Sequence, residues 1–107
     1  AGAIAALEQA RLAGPTVEGL LTLALAYHLA GDVGAEVSAA EAATKLDSDS
    51  RTAWASYAHA LARTDRINEC LDACHRALAL GDDPEVADLL ARVVESRPRG
   101  LSERSAA

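Results

Sequence analysis

Sliding the sequence against itself by 34 residues brings Leu20 onto Trp54, Leu23 onto Tyr57, Ala24 onto Ala58, Ala26 onto Ala60 and Tyr27 onto Leu61. The same shift sets Ala43 on Ala77, Leu46 on Leu80 and Asp49 on Asp83. A fixed period of this length constrains the fold more than any other feature. Each unit has to be one supersecondary element whose apolar face is buried by its neighbours in a stack. Within the units the apolar residues recur with helical spacing: Leu20, Leu23, Ala24 and Tyr27 form one stripe, and Trp54, Tyr57, Ala58 and Leu61 form another. That pattern follows one face of an α-helix. No stretch alternates strictly enough for a strand, so the chain reads as all-α.

Helix-ending and helix-starting residues divide the chain at Gly14-Pro15-Thr16, Gly31-Asp32, Ser48-Asp49-Ser50, Thr64-Asp65 and Gly81-Asp82-Asp83-Pro84. The last break shows why. Asp83 can accept from orphan backbone N–H groups, Pro84 suits the first helical position, and Glu85 suits the positive end of the helix dipole. Six helices are predicted, over residues 3–13, 17–30, 33–46, 51–63, 66–80 and 84–96. The short connections make consecutive helices antiparallel neighbours. One domain over residues 1–97 follows, built from a half repeat (3–15), two repeats (16–49 and 50–83) and a capping helix (84–97). Residues 98–107, which begin with Pro98, read as a flexible tail.

Composition agrees with this architecture. The 107 residues include 26 alanines but only three aromatics, Tyr27, Trp54 and Tyr57. Such a chain is poor material for a thick central core and good material for helices in close contact.

At this point the residues resemble the tetratricopeptide repeat family, whose motif runs W-x2-L-G-x2-Y, then A-x3-F and a closing Pro. The second unit matches with Trp54-x2-Tyr57-Ala58-x2-Leu61, then Cys70-x3-Cys74, Ala77 and either Pro84 or Asp83 just before it. The first matches with Leu20-x2-Leu23-Ala24-x2-Tyr27, then Gly31-Asp32, Ala40 and Ala43. Leu7, Ala10 and Pro15 fit the end of a preceding unit whose first helix is missing, and the start at Ala1 reads as a segment of a longer protein. Glu36 departs from the pattern by standing where a small residue is usual, and Ala40 and Cys74 replace an aromatic. The resemblance implies a right-handed stack of helical hairpins that binds another protein in a concave groove. In the last helix the 34-residue shift puts Asp88, Arg92 and Glu95 where Trp54, Ala58 and Leu61 would stand. That helix is therefore expected to cap the stack with its charged side outward.

Chemistry-bearing motifs are scarce. Cys70, Cys74 and His75 form C-x3-CH within one helix; the two thiols, one turn apart, share a face, and a metal there still lacks a third and fourth ligand. Both cysteines fall on inward positions, where free Cys acts as a compact hydrophobe. No disulfide framework is present, and a reducing cytoplasm fits the pair. The sequence holds no nucleophile elbow, HExxH, phosphate loop or dinucleotide fingerprint, so neither an enzyme nor a cofactor is expected. Glu36, Glu41, Asp47 and Asp49 show no calcium-loop spacing and read as the solvated outer face of helices.

Charge narrows the partners further. Residues 1–50 carry seven acids and two bases, residues 51–96 eight and five, and residues 97–107 one and three. A duplex binder needs a cationic face, which no helix here offers, so nucleic acid is not expected. Arg97, Arg99 and Arg104 read as solvated. Apolar runs fall far short of a membrane span, and no membrane is expected.

A protein or peptide partner remains. With the first helix of each hairpin facing the groove, as the resemblance implies, the candidate contact residues are Leu21, Leu25, His28, Thr52, His59 and Arg63. Glu18, Leu29, Ala55 and Ala62 join them, with Leu89, Val93 and Arg97 from the last helix. An acidic group of the partner is expected to reach Arg63. Family members that hold the C-terminal carboxylate of heat-shock chaperones use a lysine and asparagine clamp on these helices. Here its places are taken by Leu21 and Leu25, then Ala55 and His59, so that ligand is not implied. The competing role is structural: a scaffold or adaptor segment of a larger regulatory or secretion-chaperone-like protein, or a homo-oligomer whose stack ends bury one another.

Overall fold

A computed structural model describes residues 2–96 of the chain. It contains six helices and, among the described residues, no strand: α1 (Gly2–Ala13), α2 (Val17–Ala30), α3 (Val33–Leu46), α4 (Arg51–Leu61), α5 (Ile67–Leu80) and α6 (Pro84–Ser96). The expected tail and the final residue of the expected capping segment lie outside the described residues.

Local chemistry accounts for the boundaries. Thr16 Oγ1 accepts from Gly19 N (3.0 Å), Asp32 Oδ1 from Ala35 N (3.1 Å), Ser50 Oγ from Ala53 N (3.2 Å) and Asp83 Oδ1 from Val86 N (3.2 Å). Each of these side chains satisfies a backbone donor that the first helical turn leaves free. Gly31 closes α2 in the left-handed region, with φ of 80°. Its N–H donates to His28 O while Asp32 N donates to Tyr27 O, the paired bonds of a Schellman ending that glycine accepts without strain.

Helix α4 stops two residues before its expected end. Both the backbone N–H and the hydroxyl of Thr64 donate to Leu61 O, and Arg63 N donates to Ala60 O. These bonds tighten the chain out of the α-helix, which ends at Leu61 for that reason.

Each helix packs on the next in sequence. In addition α2 touches α4 and α4 touches α6, whereas α3 and α5 make no direct backbone approach. The α2-α3 and α4-α5 hairpins therefore close together on the α2/α4/α6 side and spread apart on the other. The result is an elongated body of 51 × 27 × 21 Å with one inner face.

Alanine holds the helices close. Ala39, Ala40, Ala58, Ala60 and Ala77 are completely buried, interleaved with Leu23, Leu61 and Val86, which are equally inaccessible. Ala40 and Cys74, at the two places where the repeat motif expects an aromatic, are both fully buried. The interior is thus thin at these points, with backbones drawn together over small side chains. On α6, Asp88, Arg92 and Glu95 are exposed while Val86 and Leu89 are buried, so its charged side does face outward.

On the spread side polar and aromatic groups line an open depression of about 480 Å³ between α3 and α5. Trp54 Nε1 donates to Ser48 O (2.8 Å), and the Arg76 guanidinium lies 5.1 Å from the Trp54 ring centre. Tyr57 O–H donates to Glu41 Oε2 (3.2 Å).

Candidate functional site

Five of the six candidate contact residues come together. Leu21, Leu25 and His28 from α2 and His59 from α4, with Arg63 just beyond it, line one groove of about 330 Å³ on the inner face. Ala24, Ser56, Glu36 and Glu85 complete its walls. Thr52 is exposed at the first turn of α4 but does not line this groove. A second depression adjoins it and shares His59 and Arg63; there Ala62, Leu89 and Val93 stand together with Arg92. Arg97 lies outside the described residues.

The floor of the main groove is apolar and open. Leu25 is 57% exposed and Leu29, one turn further on, 78% exposed, although both sit on a helix whose opposite side is buried. Ala55, by contrast, is half-buried and packs against the core.

Glu36 overturns its expected place on a solvated helix face. Its side chain is only 7% exposed, one oxygen accepts from Arg63 Nη2, and the other stands 3.5 Å from His28 Nδ1. The repeat explains this burial. The 34-residue shift sets Glu36 on Cys70, an inward position, and a side chain that long leaves the helix crossing only by running toward the groove. One glutamate thereby joins α2, α3 and the end of α4.

Glu41 is likewise half-buried, through its bond to Tyr57, whereas Asp47 and Asp49 are exposed as expected. The pairing with Glu36 also bears on Arg63: one nitrogen of its guanidinium is engaged within the chain, while its side chain remains 37% exposed.

Neither Glu36 nor Glu85 was among the expected groove residues. The signal for Glu36 was its register with Cys70. Glu85 carries no such mark, since it reaches the groove only through the position of α6 against α4.

Cys70 and Cys74 are buried free thiols, and Cys70 Sγ lies 3.4 Å from Ala58 O, to which it donates. Burial pushes Cys74 up to about 12, with the neighbouring Cys70 adding to the shift. Burial also raises Cys70, partly offset by its bond to Cys74. Among the described residues no group of three or more His, Cys, Asp and Glu side chains is placed to hold a metal ion. A pH dependence follows. Stability that rests on the protonated Cys74 thiol is fully present below the ordinary thiol value of 9.0 and is lost as the pH rises toward about 12. Urea unfolding should therefore show a lower midpoint at about pH 11 than at about pH 8, with Cys74→Ala removing the part of the slope that begins near pH 9. An unchanged slope in the variant would mean that Cys74 meets water.

The geometry defines a class: an all-α body of packed helical hairpins with an open groove on the face shared by α2, α4 and α6. No protein-family model matches the chain, and a comparison with curated proteins found no match. Among the described residues no helix is long and apolar enough to cross a membrane.

Proposed function

We propose that the chain is a tetratricopeptide-like binding segment, a right-handed stack that takes an extended peptide or amphipathic helix of a partner protein in its inner groove. One observation carries the reading: Leu25, with Leu29 beyond it, is a large apolar side chain left open to solvent on the helix that lines a groove of about 330 Å³. Exposed apolar surface gathered in a concavity is the usual ground for a protein contact. The neighbouring histidines and carboxylates would orient the ligand, and binding rather than catalysis is the activity. Free buried thiols suit a reducing compartment, and the cytoplasm is the proposed location.

A library of random peptides displayed on phage tests the groove. Wild-type protein should enrich a set of related peptides, and the double variant Leu25→Gln, His59→Gln, which removes the apolar contact without adding charge, should retain them at least about tenfold less, with helicity unchanged by circular dichroism. Equal retention by the variant would rule out this groove as the site.

A second reading has its own observation. Leu12, Pro15, Leu20, Ala42 and Leu46 line an apolar depression at the α1 end of the stack, with Leu12 78% and Leu46 49% exposed. Such a surface favours a scaffolding role in which this end is covered by another unit or a second copy. Sedimentation at several concentrations separates self-association from a monomeric binder.

A further inference from the structure

Among the groups lining the inner groove, one buried oxygen is left without a donor. Glu36 Oε2 accepts from Arg63, but Oε1 is buried and has no hydrogen-bond partner among the described residues. His28 Nδ1 stands 3.5 Å from it without hydrogen-bond geometry. Buried carboxylate oxygens are ordinarily satisfied, so an unmatched one beside a groove marks the place where a donor is missing.

The charge of the surroundings says which donor. Glu85 opens onto the same groove from α6, and the single arginine there, Arg63, is taken by Glu36. Two carboxylates thus face an opening whose one guanidinium is already engaged, with the apolar floor of Leu21 and Leu25 alongside.

Resting on the reading of this groove as a peptide site, we infer that its occupant carries a lysine or arginine side chain flanked by apolar residues. The apolar residues lie on Leu21 and Leu25, and the cationic head donates to Glu36 Oε1 with Glu85 as the outer carboxylate. His28 covers that oxygen in the empty groove. Its side chain is 45% exposed, so the ring can turn outward as the ligand's cation takes its place. A charge-assisted bond to a buried carboxylate is among the stronger single contacts a ligand can make.

Selection of the displayed peptide library on wild-type, E36Q and E85Q protein tests this. Wild-type protein should enrich peptides in which Lys and Arg outnumber Asp and Glu about tenfold beside an apolar residue. That preference should vanish on E36Q and weaken on E85Q, while the apolar positions of the selected peptides stay the same. Glu85 is exposed, so E85Q keeps the fold and decides the matter even where circular dichroism shows E36Q to be disturbed.

Peptides without a basic preference, or with one undiminished in either variant that keeps the wild-type helicity, would overturn the inference and leave the groove reading intact. Peptides retained equally by the Leu25→Gln, His59→Gln protein, or no enrichment at all, would overturn the groove reading and this inference with it.

Discussion

Leu61→Ala should lower the stability of the stack by about 3 kcal/mol, the middle of the range for a buried leucine truncated to alanine. Leu61 is completely inaccessible at the end of α4 and belongs to the main core with Leu23, Tyr57 and Val86. Its neighbours include alanines already drawn close, which have no longer side chain to swing into the space. A domain of this size has a total stability of roughly 5–15 kcal/mol, so the loss is a large share of it. Urea unfolding should show a midpoint lower by roughly 2 M with little change in slope. Leu29→Ala is the control: at 78% exposure it should shift stability by no more than about 0.5 kcal/mol. A Leu61→Ala loss under about 1 kcal/mol would show that the helices close over the cavity and that packing here is looser than the burial implies.

Arg63→Met should destabilise by about 2 kcal/mol, through Glu36 and not through the arginine itself. Removing Arg63 leaves a carboxylate whose side chain is 7% exposed without its cation. Breaking a fully buried pair from one side typically costs about 3–5 kcal/mol. The figure here is smaller because the Arg63 side chain is 37% exposed and water screens part of the interaction. The double variant Glu36→Met, Arg63→Met should recover to within about 1 kcal/mol of the wild-type protein, since two apolar chains of similar length leave no orphaned charge. Denaturant unfolding of the two single variants and the double variant, taken as a cycle, gives the coupling directly. An additive result would show that Glu36 reaches water in solution.

These two side chains also show where sequence reading succeeds and where it stops. The helices were legible because their ends are written locally: Thr16, Asp32, Ser50 and Asp83 each cap the helix that follows, and Gly31 supplies the left-handed ending. The apolar stripes, repeated at the 34-residue period, marked Leu23, Ala24, Tyr57, Ala58 and Leu61 as interior. The end of α4 was less legible, because the hydroxyl of Thr64 competes for Leu61 O, and residue pattern alone does not weigh such a bond against one more helical turn.

The site divides in the same way. Leu21, Leu25, His28, His59 and Arg63 share a groove because they lie on one side of consecutive first helices, a relation that helical spacing encodes. Glu36 does not follow that logic. It starts from the second helix of its hairpin and ends beside Arg63, 27 residues away, a meeting that depends on how α2, α3 and α4 sit together. Thr52 obeys the spacing but lies too near the start of α4 to reach the groove.

The missing contact between α3 and α5 has a mechanical consequence. The outer side of the body is an open depression lined by aromatic and charged groups, with Trp54 bonded to Ser48 and overlaid by Arg76. Widening or narrowing the inner groove by tilting one hairpin on the other therefore separates no α3-α5 contact; it works against the packing of α3 on α4 and the side-chain contacts Tyr57–Glu41 and Trp54–Arg76. On that side the groove's width is held by side chains and not by two helices in contact.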